Sequence, residues 1–146
     1  MPDMLVRLYA LPNSDVWDAR SARTGATIRR VEPGDCTPLR AFVEQAFGVR
    51  WADAIGVALS RTPIAAYLAL VGGEIVGFAL YDVAHPGSFG PMGVREDHRG
   101  RGIGASLLMR SLESMWNVGY GYAVIMGVGP AEFYTKVCGA TLIAEP

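Results

Sequence analysis

Between Val94 and Ala105 the chain reads Val-Arg-Glu-Asp-His-Arg-Gly-Arg-Gly-Ile-Gly-Ala, and directly beyond it apolar residues return every three or four positions. Ile103, Leu107, Leu108, Leu112, Met115 and Trp116 form the stripe of an amphipathic helix over 103–117, and Gly119 stands where a left-handed C-terminal cap belongs. An apolar strand ends at Val94, a polar turn carries the chain round, and the helix starts at once. The first N–H groups of such a helix have no intrahelical acceptor, and the positive end of its dipole lies beside them. Glycines at 100, 102 and 104 let a ligand approach the backbone, while Arg99 and Arg101 add charge. The segment is an anion site, and a diphosphate meets its requirement.

Other phosphate-binding turns fit less well. A nucleotide triphosphate loop ends in Gly-Lys-Ser/Thr, and this turn has no lysine. Gly100-x-Gly102-x-x-Ala105 has the form of a dinucleotide fingerprint, but the acidic residue expected about 20 positions on is missing, since Tyr122 to Val128 contains none. A dinucleotide-binding fragment would show NAD affinity. Three glycines interleaved with arginines at a helix start also exceed what a tight turn alone needs.

At 146 residues the chain has the length of a single domain, 1–146, able to bury one core. Its 51% hydrophobic and 18% charged residues exclude disorder. A formal net charge of -1 gives no overall attraction to nucleic acid or an anionic bilayer, so neither is expected as a partner. Cys36 and Cys138 lie in no disulfide or metal-ligand spacing and read as free thiols suited to a reducing cytoplasm. The N-terminus, with Asp3 and Arg7 inside its apolar stretch, shows no secretory pattern. The apolar window Ile64 to Leu80 is broken by Gly72-Gly73-Glu74, which makes it a hairpin and not a membrane span.

Along the chain, a strand over Leu5 to Leu11 and a loop or tether over Pro12 to Gly25 precede a core at 26–146. Within that core the pattern predicts a strand at Ala26 to Val31, a helix from Asp35 to Phe47 and a second helix over Trp51 to Ser60. Hairpin strands follow at Ile64 to Val71 and Ile75 to Tyr81, then a strand Phe89 to Val94 that contains Pro91 and is therefore an edge, bulged or splayed. The long helix, a strand at Tyr122 to Met126, a helix at Ala131 to Val137 and a strand at Ala140 to Ile143 complete the order. The expected fold class is α/β: a mixed sheet, antiparallel in its first half with splayed parallel strands afterwards, flanked by about four helices.

Arg99-x-x-Gly102-x-Gly104, with its strand and helix, resembles the acyl-CoA signature of the GNAT superfamily of N-acetyltransferases. Glu132-Phe133-Tyr134-Thr135-Lys136-Val137-Cys138-Gly139-Ala140 is similar to that family's later Phe-Tyr-x-Lys-x-Gly-Ala/Phe stretch, and the likeness runs from about Ala26 onward. The resemblance implies a GNAT-like fold and acetyl-CoA as co-substrate. It implies direct acetyl transfer, in a ternary complex, to an amine of a small molecule or peptide. Arg99, Gly100, Arg101, Gly102, Ile103, Gly104 and Ala105 would then bind the cofactor diphosphate. Met92, Gly93 and Val94 on the splayed strand would meet the pantetheine, with the Met92 and Val94 backbones polarising the thioester oxygen. Tyr134 matches the tyrosine that protonates the leaving thiolate.

Three positions depart from the family pattern: Glu96 replaces a common proline, Gly127 replaces a common asparagine, and Pro146 stands where a last strand would follow. The N-terminal segment or a partner chain, as in a homodimer, would have to fill that edge. No metal is expected, because neither histidine has a second ligand at a useful spacing. Asp82, His85, Glu96 and Glu132 are the nearby candidates for a base, although a solvated loop or helix position is the commoner reading of each. His98 reads as a surface residue with at most a phosphate contact. Trp17, Trp51, Tyr67 and Tyr81 are candidates for an acceptor pocket, with core packing the commoner fate of such residues. A non-catalytic acyl-CoA-binding module is the alternative from another functional class.

Overall fold

A computed structural model describes residues 2–144, so the position Pro146 lies outside it. Seven strands form one mixed sheet: β1 Met4–Arg7, β2 Thr27–Arg30, β3 Ala66–Val71, β4 Glu74–Tyr81, β5 Ser88–Val94, β6 Tyr122–Ile125 and β7 Thr141–Leu142. Five helices flank it: α1 Asp15–Ala22, α2 Cys36–Phe47, α3 Val49–Leu59, α4 Ile103–Asn117 and α5 Ala131–Cys138. The strands are ordered β2-β3-β4-β5-β6-β1-β7. Among the described residues only β5 and β6 pair in parallel, and α4 connects them. No helix among the described residues is long and apolar enough to cross a membrane.

The two sides of the sheet are closed by different helices. A Cβ on Gly77 would lie 3.1 Å from Leu107 Cδ1, so this glycine lets α4 press against β4. On the opposite side the ring of Phe78 packs on Phe47 and Trp51, at the junction of α2 and α3, with centroids 5.7 and 6.1 Å away. The β3–β4 hairpin turns on Gly72 and Gly73 at φ 58° and 81°, the left-handed pair that a two-residue turn favours. Gly48, at φ 100°, ends α2 where the sequence places the stop.

Two expectations change at the N-terminus. The first strand is shorter than the predicted 5–11, covering Met4–Arg7 before a single 3-10 turn. It pairs antiparallel with β6 (Met4 opposite Ile125) and with β7 (Met4 opposite Leu142), so the N-terminal segment itself completes this part of the sheet. The predicted tether at 12–25 contains helix α1. Hydrophobic periodicity misses it because its inward side is polar. Ser21 and Ser106 Oγ lie 3.0 Å apart, and Ser106 donates to Asp18 at 2.9 Å, which fixes α1 against α4.

Candidate functional site

Gly102 caps α4 with a left-handed backbone, φ 84°, and Gly100 is also left-handed at φ 77°. The first intrahelical bond there runs from Ser106 N to Gly102 O, which leaves the N–H groups of Ile103, Gly104 and Ala105 aimed out of the helix start. Arg99 donates from Nε to the Val94 carbonyl at 2.9 Å, and Arg20 of α1 donates from Nη2 to the Gly100 carbonyl at 2.9 Å. The ion pairs among the described residues involve Arg29–Asp35, Arg40–Asp53, Arg95 with Glu74 and Asp97, and His98–Asp97. Arg20, Arg99, Arg101 and Lys136 belong to none of them.

Beside the turn, β5 separates from β6. Their pairing is confined to Ser88 opposite Val124 and Phe89 opposite Ile125. Arg95 N donates back to Val76 O of β4 at 2.7 Å. Because successive N–H groups of a strand alternate in direction, those of Met92 and Val94 point away from β4 into the split. Gly93 faces the other side of the sheet, where an added Cβ would lie 2.5 Å from Phe47 Cζ. Gly104 has ordinary room, 3.6 Å from Val94 Cγ2 and 3.9 Å from Phe133 Cζ.

A groove of about 680 Å³ joins the turn to the split. Trp17, Phe47, Trp51 and Phe133 wall it. Tyr134 also lines it, with the Phe133 ring set edge-on at 5.0 Å. Burial, and secondarily the neighbouring Cys138, raises the Tyr134 phenol above its ordinary value, so it stays protonated throughout the neutral range. Burial likewise pushes the Cys138 thiol up to about 11, which leaves it inert.

The sequence profile described as the Acetyltransferase (GNAT) family matches residues 32–140, most of the chain. The chain belongs to the GNAT acetyltransferase family. A search of curated proteins finds no match. Solved GNAT structures share the fold. A GCN5-related glucosamine N-acetyltransferase region of a fungal multi-domain beta-N-acetylglucosaminidase is 17% identical with a TM-score of 0.80, over 97% of this chain and 19% of that one. A GCN5-related N-acetyltransferase from Sphaerobacter thermophilus is 24% identical with a TM-score of 0.72, over 97% of this chain and 48% of that one. A GNAT family acetyltransferase from Brucella melitensis, solved with acetyl-CoA, is 20% identical with a TM-score of 0.62, over 83% of this chain and 88% of that one. This GNAT chain thus spans about a fifth and about half of the first two chains it matches.

Within the GNAT fold the predicted residues mostly converge. Met92, Gly93 and Val94 line the groove, and so do Arg99, Gly100, Gly102, Gly104, Ala105 and Tyr134. Arg101 is exposed and does not line it, and the Ile103 side chain is 1% exposed in the core, so only its backbone faces outward. The base candidates do not converge. Asp82 accepts from Gly87 N at the far end of β4, His85 Nδ1 bonds the Pro86 carbonyl, and Glu96 and Glu132 are exposed outside the groove.

Of the two readings for Tyr67 and Tyr81, the structure gives core packing. Both are buried, and their hydroxyls accept bonds from Arg30 at 2.9 and 2.8 Å. His98 is partly buried: its side chain is 14% exposed, it lines the groove beside the glycine turn, and its Nδ1 lies 2.9 Å from Asp97 Oδ1. The Arg95 and His98 hydrogen bonds hold the Asp97 carboxyl down at about 2. Arg20, Phe47 and Lys136 also line the groove, and nothing in the glycine motif signals them. The acidic first turn and basic last turn of α1, Asp15, Asp18 and Arg20, are the one sequence sign of that helix. Gly127 donates its N–H to Asp3 Oδ1 at 2.9 Å and so ties the segment after β6 to the N-terminal segment.

Proposed function

We propose that this protein transfers an acetyl group from acetyl-CoA to an amine of a small molecule or peptide, both substrates being bound together. The observation that supports it most is the groove running from the glycine turn at Gly100–Gly104 along Met92, Gly93 and Val94 of β5, the strand that separates from β6, with Tyr134 on its wall. A cofactor with phosphates at one end and a thin polar arm fits that shape: outward N–H groups at the helix start, glycines where a side chain would intrude, and strand N–H groups for the arm.

Acetyl-CoA supplies an activated acyl group on a thioester. The chain's own residues do the rest. Arg99, Gly102, Gly104 and Ala105 hold the phosphates, the N–H groups of Met92 and Val94 orient the acyl oxygen, and Tyr134 keeps a proton ready for the departing sulfur. Among the described residues no Asp or Glu lines the groove. An amine with a lysine-like pKa of about 10.4 is taken up in its small neutral fraction, and its proton leaves to solvent or by way of His98, the imidazole on the groove wall.

The missing groove carboxylate also favours a second reading, a module that binds acyl-CoA without turnover. Release of CoA thiol from acetyl-CoA in the presence of a panel of primary amines decides between them. Amine-dependent thiol release, lost in Tyr134→Phe, is the expected result. Tight acetyl-CoA binding with no release for any amine would favour the binding module.

A further inference from the structure

Helix α1 reaches the glycine turn and places a cation on it. Arg20 leaves the last turn of α1 and spends one N–H on the Gly100 carbonyl, out of the five donors of a guanidinium. Its aliphatic stem lies over Gly102, where an added Cβ would sit 3.1 Å from Arg20 Cβ and 3.2 Å from Arg20 Cγ. Arg20 is exposed, lines the groove and belongs to no ion pair among those of the described residues. The helix does not need this arginine to dock, because the Asp18–Ser106–Ser21 hydrogen bonds already fix α1 on α4.

We infer that Arg20 is a phosphate-binding residue of the groove, donating to the diphosphate that sits on the start of α4. The inference rests on the acetyl-CoA reading above. The 3'-phosphate of CoA offers the same chemistry, but Arg20 is bonded at the turn itself, next to the outward N–H groups of Ile103, Gly104 and Ala105, and that position belongs to the diphosphate. Arg20 lies outside the 32–140 region that the family profile matches. The N-terminal segment therefore does more than complete the sheet: it adds a cation to the cofactor site.

The test is calorimetric titration of CoA and of 3'-dephospho-CoA into the wild type, Arg20→Gln and Arg20→Lys, at about 0.05 and 0.5 M salt. Wild-type binding is established first, and a wild type that binds neither ligand would overturn the acetyl-CoA reading before any variant is compared. The Gln variant should weaken both ligands alike, by roughly 10-fold, the scale of one charge-assisted hydrogen bond. The Lys variant should recover most of that loss. Wild-type affinity should fall more steeply with salt than that of the Gln variant, a difference that a purely structural role for Arg20 would not produce. Unchanged binding in Arg20→Gln would overturn the inference. A loss confined to CoA would move the contact to the 3'-phosphate, and an equal loss with unaltered salt dependence would reduce Arg20 to a structural clamp; either contradicts the assignment.

Discussion

The Cα hydrogen of Gly93 points into the ring of Phe47, so closely that a methyl group there would lie 2.5 Å from Phe47 Cζ. Phe47 cannot simply swing away, because its ring is held among Phe42, Trp51 and Phe78 at centroid distances of 6.1, 5.3 and 5.7 Å. Gly93→Ala should destabilise the protein by about 1–3 kcal/mol through overpacking. It should also distort the groove, which Phe47 lines. Urea unfolding measures the first effect, and stability within about 0.5 kcal/mol of wild type would show that the aromatic cluster yields freely.

Ser106 is 0% exposed and joins Asp18 and Ser21 across the α1–α4 contact. Ser106→Ala leaves both partners short of a hydrogen bond and should cost about 1–3 kcal/mol. Amide exchange should accelerate within 15–22 before it does in the central strands. A loss of protection spread evenly over the chain would mean that this polar contact does not hold α1 locally.

Arg29 donates to both carboxylate oxygens of Asp35, at 2.6 and 2.8 Å, and this pairing lowers the Asp35 pKa below its ordinary value. The unfolded chain, with Asp near 3.9, therefore takes up the proton first. The stabilisation is complete above that pKa and is lost as pH falls through the lower folded value. It amounts to under about 1 kcal/mol, because Arg29 is partly exposed to solvent. Asp35→Asn should flatten the acid limb of the stability–pH curve below about pH 4 and leave its slope at pH 6–8 unchanged.

The raised phenol of Tyr134 separates two pH effects. With no groove carboxylate to act as base, kcat/KM should rise with pH as the amine loses its proton, levelling near the amine's own pKa. It should fall only where Tyr134 ionises, above about 10. Tyr134→Phe should lower kcat by roughly 10- to 10⁴-fold and leave CoA affinity nearly unchanged. A plateau set near neutral pH for several amines of different pKa would instead reveal a base on the protein, and His98 is the groove side chain to test for that role.

The strand–turn–helix at 88–117 was legible because its signals are local: glycines that need left-handed backbones, an apolar stripe of helical period and a proline in a strand that separates from its neighbour. Tyr134 was singled out by its motif and not by geometry, and the fold sets it on the groove wall. The N-terminal contribution was hidden for a physical reason. Helix α1 docks through Asp18, Ser21 and Ser106, so it lacks the apolar stripe that marks a buried helix, and Arg20 meets Gly100 only across the fold. Whether Tyr67 and Tyr81 join a pocket or the core was not legible, because an aromatic in a strand gives no sign of which face it joins; both take the core position and meet Arg30 in the interior.

The most direct test of the diphosphate site is calorimetric titration of acetyl-CoA into the wild type and Gly104→Glu, with NAD as a control ligand. The substitution suits this purpose because Gly104 has an ordinary backbone and ordinary space around it, and a glutamate in the first turn of a helix favours the helix while setting negative charge in the anion site. Micromolar acetyl-CoA binding by the wild type, lost in a Gly104→Glu protein of unchanged melting temperature and absent for NAD, is the predicted result. Equal acetyl-CoA binding by both proteins, or none by the folded wild type, would contradict the assignment of this turn as the cofactor site.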